Sequence, residues 1–146
     1  MEIGSSEQHV EVQFYDQDIG YENLWATPLG DDLYRMESIP FFIYDVSLND
    51  IVNAKPDDAG KLQFLRVVGP SGNRTLRARK SPSFSENEAM DLLSQLEALG
   101  CQVEILRQRV IAIDIPPRVD LKAIADFLTK VGVAWEYGNP SSANSS

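Results

Sequence analysis

The sequence predicts an α+β fold: a small antiparallel β half-barrel followed by a ferredoxin-like β-α-β-β-α-β sandwich. Three observations carry this expectation. Short alternating apolar runs fill residues 9–73, parted by turns rich in Gly, Pro and Asp. Two later segments place apolar residues at helical spacing. Strand-like runs flank both helices, giving the order strand, helix, strand, strand, helix, strand. The expected boundaries are an antiparallel β subdomain at 9–73 and a ferredoxin-like subdomain at 74–138. Residues 1–8 and 139–146 are expected to be flexible, because the tail from Asn139 has no large apolar anchor.

The first strand is HVEVQFY, where Val10, Val12 and Phe14 alternate with His9, Glu11 and Gln13. ENLWATPL and LYRMESI follow, joined across Gly30-Asp31-Asp32, and read as a hairpin. Ile39-Pro-Phe-Phe-Ile-Tyr44 comes next, with Pro40 bending the chain. Ser47 to Ala54 reads as another short strand region. Pro56-Asp-Asp-Ala-Gly60 has turn chemistry: Pro fixes φ, Asp bonds back to the backbone, and Gly accepts φ > 0. KLQFLRVV then runs into Gly69-Pro-Ser-Gly-Asn73, and RTLRARK returns as a strand.

Beyond Arg74 the pattern changes. Ser85 with Glu88 forms a capping box. Ala89, Leu92, Leu93, Leu96 and Leu99 fall on one helical face, and Gly100 stops the helix. Cys101–Leu106 and Val110–Ile115 read as strands around a turn at Arg107–Arg109. Asp120 caps a second helix, with Leu121, Ile124, Ala125, Leu128 and Val131 inward and Gly132 at its end. Val133–Tyr137 is the last strand. Ile111, Ile113 and Ile115 share the helix-facing side, while Val110, Ala112 and Asp114 point away. That second face is partly apolar, so the N-terminal strands, a twin subunit or a partner should cover it.

Charge is segregated along the chain. Residues 1–60 hold thirteen acids against Arg35 and Lys55. Residues 61–80 hold six bases and no acid. The net charge is −9 and the pI about 4.5. Phosphate repels such a surface, which argues against general nucleic-acid binding and favours a basic partner. One cysteine excludes an internal disulfide and fits a reducing compartment. The N-terminus lacks the basic and apolar regions of a signal peptide. No apolar run reaches the roughly 18 residues of a membrane span. A cytoplasmic protein without membrane contact is the expectation.

No catalytic set competes with the charge pattern. His9 and Cys101 are the only residues of their types, far apart in sequence, and nothing positions either for nucleophilic catalysis or zinc. Gly69 to Arg74 is glycine-rich but lies between strands, unlike a phosphate cradle. The carboxylate pairs Asp16/Asp18, Asp31/Asp32 and Asp57/Asp58 sit in turns, where Asp serves the backbone. They lack the rest of a calcium loop, so no metal and no cofactor is expected. These six aspartates are the candidate partner-binding residues. Arg74, Arg77, Arg79 and Lys80 lie on one basic strand without aromatics. They pair internally, with Glu104, Glu136 or carboxylates of the N-terminal half, or they meet an external anion. Trp25, Phe41, Phe42, Tyr44 and Trp135 read as core.

Four segments carry a resemblance: Glu22 to Phe42, Val46-Ser-Leu-Asn-Asp-Ile-Val-Asn-Ala54, Leu96-Glu-Ala-Leu-Gly-Cys101, and Ala112-Ile-Asp-Ile-Pro-Pro117. They resemble a bacterial family known only as a domain of unknown function. Its pattern is ESLWA-PLG-G-YR-NIPFF, then VS-GDVV-A, then LE-LGC and DVP. The similarity spans roughly residues 10–137. Asn49-Asp50 stands where the family favours Gly-Asp, which bears on the tightness of that turn. The family supplies no catalytic residue. The expected function is therefore a non-enzymatic acidic binding protein, such as an immunity-type inhibitor of a basic toxin or nuclease. The alternative is a regulatory or small-ligand-sensing domain using the open face of the ferredoxin-like sheet, which would also admit a homodimer through that sheet.

Overall fold

The structure, a computed structural model, describes residues 8–81, 84–107 and 109–140. The N-terminal half holds five strands: β1 (Val10–Asp16), β2 (Gly20–Gly30), β3 (Leu33–Met36), β4 (Ile51–Pro56) and β5 (Leu62–Gly69). Each pairs antiparallel with the next. β1 then pairs parallel with β5 at Val12↔Leu62 and Gln13↔Gln63, closing a barrel. Inward residues follow the pleat: Val12, Phe14, Leu24, Ala26, Met36, Val52 and Ala54 share one core. Phe14 stacks on Phe64 with ring centroids 4.5 Å apart.

The turns explain their aspartates. Asp31 and Asp32 both have positive φ, 58° and 63°, as a two-residue type I′ hairpin turn requires. Asp16 accepts the amides of Asp18 and Ile19. Asp57 accepts those of Ala59 and Lys61. Between β3 and β4 a long connector leaves the barrel and returns. Asp50 ties its return: one carboxylate oxygen accepts the Ser47 amide, and the other accepts the Ser71 amide and hydroxyl. Residues 47–50 are thus a turn, and the strand expected from Ser47 starts at Ile51. Asn49 sits at φ 70° in that turn, the left-handed conformation that explains the family's Gly.

The C-terminal half holds β6 (Arg74–Arg79), α1 (Glu86–Ala98), β7 (Gln102–Leu106), β8 (Val110–Ile115), α2 (Leu121–Val131) and β9 (Ala134–Tyr137). The sheet order is β7-β8-β6-β9, with antiparallel neighbours throughout. Ser85 and Glu88 form the capping box of α1. Asp120 caps α2, and Gly132 ends it at φ 88°. One sheet face packs on the helices through Leu76, Leu92, Leu96, Ile111, Ile113, Ile115, Ile124 and Leu128. Leu99 and Val131, at the helix ends, are exposed.

The fold class expected from the sequence needs correction. The molecule is mostly β: a closed five-stranded barrel, a second four-stranded sheet and two helices. It is not a half-barrel followed by a ferredoxin-like sandwich. Two physical causes produce the difference. The closing β1–β5 pair is parallel and joins residues 50 positions apart, which no local pattern signals. Register shifts in β2–β3 and β4–β5 help the sheet curl far enough to meet itself. The second sheet, moreover, has no free face over Thr75, Arg77, Ala112 and Asp114. The connector lies there, with Ile39, Leu48 and Phe41 packed on Ala112. Asn139, expected in a flexible tail, is buried and bonded to Ser47 and Thr75. Of the other residues in the predicted flexible ends, Gln8 and Pro140 are exposed, and 1–7 and 141–146 lie outside the described residues.

Candidate functional site

The site that the fold builds lies where connector, barrel and second sheet meet. The connector's Pro40-Phe-Phe-Ile43 turn has polar backbone on both sides. Glu22 of β2 is buried and accepts the amides of Phe41 (2.8 Å), Phe42 (3.1 Å) and Ile43 (2.9 Å). Arg77 of β6 takes the carbonyls: Pro40 at 3.3 Å, Phe42 at 3.0 Å, and Ile43. The Arg77 guanidinium also pairs with Glu136 at 3.5 Å and lies over the Tyr44 ring, 4.9 Å from its centroid. Tyr44 donates its hydroxyl proton to Glu136 at 2.9 Å. Arg77 is 2% exposed, so burial lowers its pKa, while Glu136 and Glu22 hold it up. The Tyr44 pKa is raised, by burial first and then by Glu136.

This frame leaves a groove of about 220 Å³ beside it. Phe41, Phe42 and Tyr44 of the connector line it on one side and Ala134 of β9 on the other, while the Trp135 ring, paired opposite Ala78, lies on the helix side of the sheet against Thr129. Ile19 of the β1–β2 turn closes one side, and Val110 and Arg79 line the base. The aromatics expected in the core are thus largely at the surface: Trp25 is 50% exposed, Trp135 38% and Tyr44 36%.

The predicted partner-binding aspartates do not gather at one place. Alternating strand directions put the 31–32 and 57–60 turns at one barrel end, and the 16–19 turn at the other, beside the groove. Asp16 and Asp57 serve their own turns. Backbone amides, that of Lys61 first, lower the Asp57 pKa. Asp18, Asp31, Asp32 and Asp58 are exposed and have no side-chain partner among the described residues.

The four basic residues divide as well. Arg74 donates to the carbonyls of Pro116 and Val119, both at 2.6 Å, and Arg77 to the connector. Arg79 is exposed with no partner among the described residues, and the Lys80 side chain likewise has none. Backbone carbonyls, not the acids of the N-terminal half, satisfy most of the buried positive charge. Sequence reasoning missed Glu22 and Tyr44. The available signal was that Glu22 and the Pro-Phe-Phe run belong to the same recognisable motif.

No group of three His, Cys, Asp or Glu gathers among the described residues to hold a metal. Burial pushes the Cys101 thiol up to about 11, so it stays protonated at neutral pH. No helix among them is long and apolar enough to cross a membrane.

A family profile, the domain of unknown function DUF4265, matches residues 22–136. The chain belongs to that family. The DUF4265 match thus starts at Glu22 and ends at Glu136, the two carboxylates that flank the connector. A crystal structure of a hypothetical protein from Neisseria gonorrhoeae is similar, with a TM-score of 0.70. It is 23% identical in sequence, and the alignment covers 91% of this chain and 94% of that one. The likeness shows a shared fold. Among curated proteins nothing matches the chain.

Proposed function

We propose that this DUF4265 protein is a non-enzymatic binding protein that meets a basic protein partner through the acidic end of its barrel. One observation supports this reading. Asp31, Asp32 and Asp58 are exposed and unpartnered among the described residues, on two well-formed turns at the same barrel end. A fixed turn presents charge with little ordering cost on binding. The net charge of −9 adds an attractive field that speeds encounter with a cation-rich surface. Asp57 frames that end by holding its turn, and Asp16 and Asp18 carry the same chemistry at the other end. An immunity-type inhibitor of a basic toxin or nuclease is the form of this function that the small acidic chain fits.

The test is capture of partners from the source cells, followed by association kinetics. The partner should be basic. The D31K/D32K/D58K triple variant should associate on the order of tenfold more slowly at low salt, with the gap closing as salt rises. An acidic partner, or rates unmoved by salt and by the triple substitution, would overturn the proposal.

A further inference from the structure

We infer that the groove between connector and β9 binds a small ligand made of one aromatic ring and one carboxylate, with Arg79 pairing the carboxylate. Three features carry this, and none depends on the acidic barrel end.

The first is the state of the two arginines. Both lie on the connector-facing side of β6 and both line the groove. Arg77 is committed: three carbonyls, Glu136 and the Tyr44 ring surround it. Arg79 has no partner among the described residues. Glu136 is already matched by Arg77 and the Tyr44 hydroxyl. Arg79 is therefore the guanidinium at the groove that still has donors to offer, on a chain whose net charge is −9. An anion entering here meets a local cation without displacing an existing ion pair.

The second is that the aromatic wall is held in place. Tyr44 is fixed by Glu136. Phe42 is fixed by its backbone, bonded to Glu22 on one side and Arg77 on the other. Preformed aromatic walls with one convergent polar group are the usual design of a small-molecule site.

The third is size. The groove's 220 Å³ is room for roughly seven waters at about 30 Å³ each. That is below the ~300–1,000 Å³ of drug-sized ligand sites. It suits a single ring with a short acidic arm. The overall negative field disfavours multiply charged ligands, so the apolar contact must supply much of the affinity.

The test uses the full chain, with phenylacetate as the probe and isothermal titration calorimetry as the readout. Phenylacetate should bind saturably, with a Kd on the order of 1 mM or tighter. The uncharged phenylacetamide, and acetate alone, should bind at least about tenfold more weakly. R79Q should weaken phenylacetate by the same order. Arg79 makes no internal contact among the described residues, so R79Q should fold normally, which its melting curve checks. The D31K/D32K variant should bind phenylacetate unchanged, which separates this site from the barrel end. Absence of saturable binding up to about 10 mM would overturn the inference. So would equal binding by R79Q, by phenylacetamide or by acetate.

Discussion

Glu22 and Arg77 grip opposite sides of one turn without forming an ion pair with each other. The carboxylate takes the amides of residues 41–43, and the guanidinium takes carbonyls of residues 40–43. Their charges interact through a loop that both of them hold. Each is buried, so each leaves several backbone groups unsatisfied when removed.

Removing either residue should therefore be strongly destabilising. E22A and R77M should each lower unfolding free energy by about 3–5 kcal/mol, read from urea midpoints. E22Q should lose less, because the amide oxygen still accepts. A double-mutant cycle should give a coupling of about 0.5–3 kcal/mol. Strict additivity would mean that the loop does not link the two side chains.

Asp114 should make stability fall as pH rises. It is 1% exposed, and burial pushes its pKa up to about 6, against the pull of Asn73 and Arg74. Its Oδ2 accepts from Asn73, and its Oδ1 has no donor among the described residues. In the unfolded chain the group ionises near 3.8. Between those values the folded chain holds a proton that the unfolded chain has lost. Stability from this group is complete below about pH 4 and is lost as pH passes 6, by up to about 3 kcal/mol. D114N should flatten that slope in urea titrations at pH 4–7. Asp57, with its lowered pKa, acts in the opposite sense and only as pH falls below about 4.

Asn49 should tolerate Gly and little else. At φ 70°, N49G should stay within about 0.5 kcal/mol of the parent, while N49V should lose about 1–2 kcal/mol. A harmless N49V in thermal melts would show that the turn is not held left-handed.

Gly138 packs its backbone against β6. A Cβ there would stand 2.8 Å from Thr75 Cβ and 3.1 Å from the Thr75 carbonyl oxygen. Gly138 also donates to that carbonyl and accepts the Asp45 amide. G138A should cost about 1–3 kcal/mol by chemical denaturation, as overpacking usually does.

Local grammar carried much of the secondary structure. Ser85 with Glu88 marked the start of α1, and Asp120 and Gly132 bracketed α2, because caps are written in neighbouring residues. The Asp31-Asp32 hairpin turn was legible for the same reason. What stayed hidden depends on distant pairs. Gln13 and Gln63 meet across the closing seam, and their alternation pattern looks the same in an open sheet. The groove was hidden too. Phe41, Phe42 and Tyr44 look like core by composition, and only the anchors at Glu22 and Arg77 decide which way their turn faces. That Arg79 has no partner among the described residues while Arg77 is fully engaged is invisible in a sequence where both are simply basic residues on one strand.

The closing seam also sets a timetable for the growing polypeptide. β1 leaves the ribosome about fifty residues before Leu62 and Gln63 exist to complete its barrel. The barrel has all its strands once Gly69 has emerged, but the connector is still loose. Its guanidinium arrives with Arg77, and Glu136 and Asn139 follow about sixty residues later. A nascent chain stopped after α2 would keep the Glu22 and Arg77 grips on the connector and lack only the contacts from Glu136 and Asn139. The final strand therefore tightens a junction that Glu22 and Arg77 have already made, by adding Glu136 to a guanidinium that is in place before it.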